Sequence, residues 1–517
     1  MTLKNLLTEH AAEILAHKIV RSEQVRAIEP KAAQIAGCSL FELMQRAGQA
    51  AFQTLRQEWP TAHHIVVVAG HGNNAGDGYV VAKLAKQQGL NVVVVCHQPE
   101  KALMGEAKQA QSQWQNIGGE TLTFSEHNYS KFDVLVDALL GTGVKGQVKP
   151  NVQTIIQQIN QIGIPVLSID LPSGMNANTG QALPLCIKAD VTVTFVATKP
   201  GLVTGMGKEF CGKLVLADLA VGSAFFSIVQ NTAQLVDWSM LKPFPARPVH
   251  GNKGSFGKLL CIGGNQGMAG AIRLSGESAL RCGVGLVKVY CHESSSLAIS
   301  AGRPEIMLTH KELEVALDWC NCIVVGPGLG QDDWAHQQFS RLLTHLKHHP
   351  KPLVIDADGL NLLATTIDDT DIKSTLSQLP ALVFTPHPGE ASRLLNCNIA
   401  EIENDRYLAC KSIAQKYQST CVLKGAGTII QTYIPHLDPK IWVCKGGNPG
   451  MATAGMGDLL TGVIGAFLAQ GFTSQKSAVY GVCAHAEAGD RIAIEYGQRG
   501  MITSDLLQPL RAIVNGL

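Results

Sequence analysis

The sequence predicts an α/β protein made of two doubly wound domains, and three observations predict it. Short β-branched apolar runs alternate with longer amphipathic stretches along most of the chain, the pattern of strands buried on both faces and separated by helices. The 517 residues are enough for two to four domains at roughly 150 residues each. Between Leu241 and Pro248, three prolines fall within eight residues, which suits a linker or domain-entry segment. The expected division is residues 1–230 and 235–517.

In the first domain a helical N-terminal region precedes strands predicted at 64–70, 90–97, 132–140, 165–170 and 190–195. Helices are predicted at 79–88 and 103–116. Periodicity weakens from 218 to 247. A second βα series follows, with strands at 258–263, 286–291, 322–326, 353–356, 381–385 and 420–423. It closes on helices at about 458–468 and 475–495. The two series do not read as repeats of one another, because their glycine clusters differ in spacing and chemistry.

Composition narrows the class. Lys plus Arg is 42 and Asp plus Glu is 41, a net charge of +1, so no excess of either sign points to nucleic acid or an acidic membrane surface. Charged residues at 16% and hydrophobic residues at 46% exclude a largely disordered chain. Glycine, at 52 residues, is about a tenth of the chain against a usual ~7%, and it clusters between apolar runs. Cys96, Cys261, Cys291 and Cys322 lie inside such runs, which reads as reduced, buried thiols. Cys320 and Cys322 are too close for a zinc-ligand loop, so no structural metal is expected. Residues Met1 to His10 lack a basic start followed by an apolar core, and no apolar run reaches about 18 residues. The expectation is a soluble cytoplasmic protein.

Three strand ends in the first domain carry chemistry. The strand ending at Ala69 runs into Gly-His-Gly-Asn-Asn-Ala-Gly-Asp-Gly at 70–78, a glycine-rich passage that offers backbone N–H groups and a helix start to phosphate. Asn73, Asn74 and Asp77 add side-chain donors and acceptors that a bare turn does not need. Val-Leu-Val-Asp137-Ala-Leu-Leu-Gly-Thr-Gly143 and Val-Leu-Ser-Ile-Asp170-Leu-Pro-Ser173-Gly put further carboxylates at strand ends. Either Asp alone reads equally well as a helix cap; together, at the carboxyl edge of one parallel sheet, Asn74, Asp137, Asp170 and Ser173 suit a shared crevice. That oxygen-rich set suits a hard cation, monovalent or divalent.

These motifs, with Thr192-Val-Thr-Phe195 and Lys199-Pro-Gly-Leu, resemble the NAD(P)H-hydrate epimerase family over most of residues 20–225. The resemblance implies a Rossmann-like domain that interconverts the C6 epimers of hydrated NADH or NADPH and holds K+. By position, the ion would contact Asn74, Asp137 and Ser173. Substrate would contact Asn73, Asn74, Ala75, Gly76, Asp77, Gly141, Thr142, Gly143 and Asp170. Asp137 is a candidate proton-transfer group. Ala75 stands where many relatives have glycine.

The second domain carries Asn-Pro-Gly-Met-Ala-Thr-Ala-Gly-Met-Gly-Asp at 448–458, ahead of an apolar helical run. Small residues before a helix let a phosphoryl group approach backbone donors, although an Asp in a first helical turn is also a plain dipole partner. Gly-Pro-Gly-Leu-Gly at 326–330, Asp-Ala-Asp-Gly at 356–359, Thr-Pro-His-Pro-Gly-Glu at 385–390 and Lys-Gly-Ala-Gly-Thr at 424–428 also follow strands. In this order they resemble the ADP- or ATP-dependent NAD(P)H-hydrate dehydratases of the ribokinase-like fold, over about residues 245–510. The resemblance implies phosphorylation of the C6 hydroxyl of the S epimer, then loss of phosphate to regenerate NAD(P)H. Asp458 would take the hydroxyl proton. Lys424, Gly425, Ala426, Gly427, Thr428 and Gly457 would hold ADP with Mg2+, and Ala271, Gly328, His387 and Asp458 would line the hydrate. Met456 replaces a Ser or Thr common in relatives.

The expectation is a bifunctional repair enzyme, an isomerase fused to a lyase, with NAD(P)H-hydrate and ADP as partners, no nucleic acid, no membrane and a homo-oligomeric state. The ADP choice rests on the fused architecture. Two alternatives stand beside it: a ribokinase-like small-molecule kinase with a regulatory nucleotide-binding half, and a first domain that only binds.

Overall fold

The computed structural model describes residues 17–124, 129–143, 146–230, 232–366, 369–437 and 440–517. The N-terminal segment read above for a leader lies outside these residues. The chain divides into two compact units, Met1–Gln234 and Leu235–Leu517. Among the described residues no helix is long and apolar enough to cross a membrane.

Unit 1 is built on a seven-stranded sheet in the spatial order Thr121–Thr123, Asn91–Cys96, His64–Ala69, Val134–Ala138, Val166–Ile169, Val191–Phe195, Lys213–Ala217. All neighbours are parallel. Alternate side chains of the central strand enter opposite layers: Ile65, Val67 and Ala69 join one core and Val66 and Val68 the other, as a strand covered on both faces requires. Strand order reverses between His64–Ala69 and Val134–Ala138, and a crevice opens at such a switch point.

The helix after the first glycine passage starts at Asn73 and runs to Gln87, six residues earlier than the predicted start at 79. Periodicity missed it because Asn-Asn-Ala-Gly-Asp-Gly has neither an apolar stripe nor good helix formers. Packing decides instead. A Cβ on Gly76 would lie 2.5 Å from Met44 Sδ, and one on Gly78 would lie 2.5 Å from Ala138 Cβ. These glycines let the helix sit close to its neighbours; the turn itself is only Gly70-His71-Gly72. Ala75, inside the helix and fully buried, fits without positive φ.

Unit 2 has the strand order Ile441–Cys444, Ile429–Thr432, Thr420–Leu423, Leu382–Phe384, Leu353–Ile355, Cys322–Val325, Lys258–Ile262, Leu286–Tyr290, Ile306–Thr309. The strands from Thr420–Leu423 to Ile306–Thr309 are parallel. The first two are antiparallel additions that the sequence reading did not place. The loop 424–428 is too short for a crossover, so the chain returns as a hairpin. Strand order reverses between Lys258–Ile262 and Cys322–Val325, where a Cβ on Gly263 would fall 2.1 Å from the Pro327 carbonyl oxygen.

Candidate active sites

In unit 1 the strand ends open onto a cavity of about 820 Å3 whose wall includes Asn73, Asn74, Asp77, Gly141, Thr142, Gly143 and Asp170. Ala75 and Gly76 face away from it and are buried. The helix that begins at Asn73 turns them toward the core, where they pack against neighbouring elements.

Asp137 lies outside the cavity wall. Its side chain is fully buried behind the cavity, and its carboxylate is filled. Oδ1 accepts from Ser173 Oγ at 2.6 Å and Leu139 N at 3.2 Å, and Oδ2 accepts from Ser168 Oγ at 2.8 Å and Ser173 N at 2.9 Å. Burial raises its pKa against those hydrogen bonds. These four hydrogen bonds make the carboxylate an anchor for the strand ends around it.

Asn74, Asp137 and Ser173 do meet, around the backbone of Leu140. Asn74 Nδ2 donates to the Leu140 carbonyl at 2.9 Å, and Leu140 N donates to Ser173 Oγ at 2.8 Å. Asn74 Oδ1 is buried with no hydrogen-bond partner. A buried acceptor left without a donor is costly, and a cation beside it removes that cost. One carboxylate among neutral oxygens suits a hard monovalent ion. Among the described residues no three His, Cys, Asp or Glu side chains gather into a metal-binding group.

The sequence reading missed the strongest charge pair of this cavity. Lys199, 2% exposed, donates to Asp170 Oδ1 at 2.6 Å, Thr194 Oγ1 at 2.9 Å and the Phe195 carbonyl at 2.9 Å. The motif Lys199-Pro-Gly was visible, but nothing in it said that the ammonium folds back onto the next strand end. Asp170 adopts φ 67°, a left-handed conformation costly for a non-glycine residue and typical of functional positions. Burial, then the charges of Asp170 and Glu29, hold the Asp77 carboxyl well above the usual carboxylate range. Glu29, from helix Ser22–Ile35, also lines the cavity and was not foreseen.

In unit 2 the helix Met456–Ala469 starts behind Gly455 at φ 88°, where a side chain would be strained and would strike Leu274. Asp458 is in the first turn, and Ser275 Oγ donates to its carbonyl at 2.7 Å. Burial and the nearby Asp356 charge push the Asp458 carboxyl up to about 7, with Lys424 opposing them. Met456 is buried, so the missing hydroxyl at that position is replaced by core packing.

Lys424 bridges the loops. Its Nζ lies 2.8 Å from Asp356 Oδ1 and 3.8 Å from Glu390 Oε2, and a Cβ on Gly457 would stand 3.1 Å away. Thr461 Oγ1 donates to Asp356 Oδ2 at 2.5 Å. Burial would raise Asp356, but the Lys424 ammonium brings it below the usual range. Glu390 is raised to about 7 by burial. Lys424, expected at the nucleotide, ties the loop 424–428 to Asp356 and Glu390. Beyond it, Gly425 and Ala426 are exposed, and Gly425, at φ 137°, packs on the Arg406 guanidinium. Thr428 Oγ1 donates to the Gly425 carbonyl at 3.0 Å. Gly427 is buried at φ 64°.

Ala271 and Gly328 come together, since a Cβ on Gly328 would be 3.2 Å from that of Ala271. His387 has both ring nitrogens engaged: Nδ1 accepts from Gly389 N at 3.0 Å, capping helix Pro388–Leu395, and Nε2 is 3.2 Å from Glu390 Oε1. Burial and Lys424 lower its pKa. Asp490, not foreseen, fixes the 447–448 loop by accepting from Gly447 N and Asn448 Nδ2, each at 2.8 Å.

Residues 259–511 match the family described as NAD(P)H-hydrate dehydratase, and residues 40–201 match the family described as YjeF-related protein N-terminus. The bifunctional NAD(P)H-hydrate repair enzyme Nnr of Escherichia coli K12 is 41% identical over 509 residues, covering 97% of this chain and 95% of that one. Its namesake in Coxiella burnetii is 41% identical over 503 residues, covering 96% and 99%. Unit 2 is also similar to the Bacillus subtilis ADP/ATP-dependent NAD(P)H-hydrate dehydratase co-crystallized with ATP/Mg2+, at 26% identity and a TM-score of 0.46, over 52% of this chain and 93% of that one. Two family matches in tandem, and relatives of such identity along nearly the whole length, place the chain among the bifunctional NAD(P)H-hydrate repair enzymes.

Proposed function

We propose that unit 1 is an isomerase that interconverts the R and S epimers of NAD(P)H-hydrate. Unit 2 is a lyase that dehydrates the S epimer at the expense of ADP, giving AMP and phosphate. The observation that carries the lyase reading is Asp458. A carboxyl poised near neutrality at a helix start, beside Lys424 and Asp356, is equipped to accept the C6 hydroxyl proton. The N–H groups of 455–457 and the helix dipole oppose the charge of the transferring phosphoryl. Phosphate then leaves C6 with its bonding pair, a C5 proton passes to solvent, and the C5=C6 bond so formed regenerates the reduced nicotinamide.

For the isomerase, Lys199 holds Asp170 at the cavity as a proton-accepting group. The site around Asn74, Asp137 and Ser173 would hold K+, whose charge would steady the substrate phosphates and the loop at Leu140. Mg2+ would enter with the nucleotide phosphates, because Asp356 is already taken up by Lys424 and Thr461; it would supply charge neutralisation there. The cytoplasm, where reduced nicotinamides form and thiols stay reduced, is the compartment this chemistry fits.

A kinase reading would leave a phosphorylated product and gives no use to the Lys199–Asp170 pair. Recovery of reduced-nicotinamide absorbance from mixed hydrate decides between them. With ADP or ATP, recovery passes the S fraction faster than spontaneous epimerisation allows. Absence of nucleotide-dependent recovery refutes the lyase, and a plateau at the S fraction refutes the isomerase.

A further inference from the structure

Helix Ser22–Ile35 lies ahead of residues 40–201, the stretch matched by the first family, yet it forms part of the unit 1 cavity wall through Val25, Arg26, Glu29 and Pro30. It is tied down at two points. The Arg26 guanidinium donates to the Thr142 carbonyl at 2.6 Å, and Ser22 N donates to Asn178 Oδ1 at 3.0 Å. The wall is therefore held against the loop 141–143.

Inversion at C6 by exchange of its hydroxyl needs two proton transfers at one carbon. The leaving oxygen gains a proton and the incoming water loses one. Because the R and S hydrates interconvert in both directions, the group that donates one way must accept the other way, so two groups in different protonation states must serve the same carbon. Asp170, paired with Lys199, supplies the accepting carboxylate. Of the other carboxyls on the cavity wall, Asp77 and Glu29 share an electrostatic environment with Asp170. Asp77 is 9% exposed on the glycine-rich helix. Glu29 is partly open and comes from an element separate from the strand ends. Burial raises its pKa, with Lys199 opposing and Asp170 adding, which favours a retained proton.

We propose that Glu29 is the second catalytic group of the epimerase, the acid that protonates the departing C6 hydroxyl while Asp170 accepts the proton of the incoming water. This rests on unit 1 being the epimerase. In one direction the N1 lone pair forms N1=C6 as the C6–O bond breaks, and the Glu29 carboxyl gives its proton so that water leaves. A solvent water then adds to the opposite face of C6. The new C6–O bond forms, the N1=C6 pair returns to N1, and the proton passes to Asp170. The net result is one proton moved from Glu29 to Asp170. Reverse turnover restores it, and exchange with solvent in the cavity resets it between turnovers.

The test uses the full chain with hydrate enriched in the R epimer, S-hydrate being consumed by excess dehydration so that absorbance reports epimerisation. Glu29→Gln is expected to lower the epimerisation kcat by about 10² to 10⁴ with KM nearly unchanged, and Glu29→Asp by less. Dehydration of pure S-hydrate by the same preparations should be unaltered. A Glu29→Gln enzyme with wild-type kcat, or with only KM raised, overturns the proposal. If Glu29→Gln loses both activities through misfolding, Glu29→Asp decides, a kcat equal to wild type again overturning it. Failure of the wild type to epimerise would refute the epimerase reading of unit 1 itself.

Discussion

Asp458 and Asp137 are both aspartates near helix starts or strand ends, and the fold gives them opposite roles. Asp458 is partly open, and its carboxyl sits near 7 because burial and Asp356 outweigh Lys424. Only the ionised form accepts a proton, so dehydration kcat should rise about tenfold per pH unit below about 7 and level off above it. A pH series with saturating nucleotide checks this. The stability linkage has the opposite sense. A carboxyl raised above its unfolded value keeps its proton in the folded state, so its contribution declines as pH climbs from the unfolded value toward 7. Asp458→Asn should lower dehydration by at least about 10³ while nucleotide affinity, measured by calorimetry, stays nearly the same. Asp137 differs because four hydrogen bonds converge on a fully buried carboxylate. Asp137→Ala should therefore destabilise unit 1 by about 3 kcal/mol, measured by urea unfolding, and lose epimerisation as a consequence.

At the scale of elements, glycine does two different jobs that the sequence shows alike. Gly455 supplies a left-handed conformation at the start of helix Met456–Ala469. Gly70 supplies room: a Cβ there would stand 1.9 Å from the Leu139 carbonyl oxygen, at the point where the two central strands end. Gly72, two residues on, would meet nothing within 4 Å. Gly70→Ala should therefore cost about 3 kcal/mol and abolish epimerisation. Gly72→Ala should stay within about 0.5 kcal/mol. Paired unfolding curves check the contrast. Strands that read as continuous apolar runs, such as His64–Ala69 and Thr420–Leu423, were legible because nearly every residue in them is buried. Thr121–Thr123 and Ile429–Thr432 were not: the first has no buried residue and the second follows its neighbour after only five residues, so each is defined by its pairing partner. The helix start at Asn73 was invisible for a related reason: its glycines are justified by Met44 and Ala138, which are distant in sequence.

For the whole molecule, the two units carry complete and different sets of groups. Asp170→Asn should reduce epimerisation by about 10² or more and leave S-hydrate dehydration essentially unchanged; Asp458→Asn should do the converse. Separate assays on R-enriched and pure S hydrate check both variants, and joint loss in either would show that the units do not act independently. The sequence by itself determined the two α/β series and the order of the motifs, because local periodicity and contiguous motifs survive without knowledge of neighbours. Only the tertiary structure decided that Lys199 locks Asp170, that Asp137 lies behind the cavity, that Lys424 turns to Asp356 and that Glu29 reaches the first site. Charge pairing and burial depend on which strand ends and helices meet, and those meetings join residues that local periodicity does not connect, 29 positions apart for Lys199 and Asp170 and 68 apart for Lys424 and Asp356.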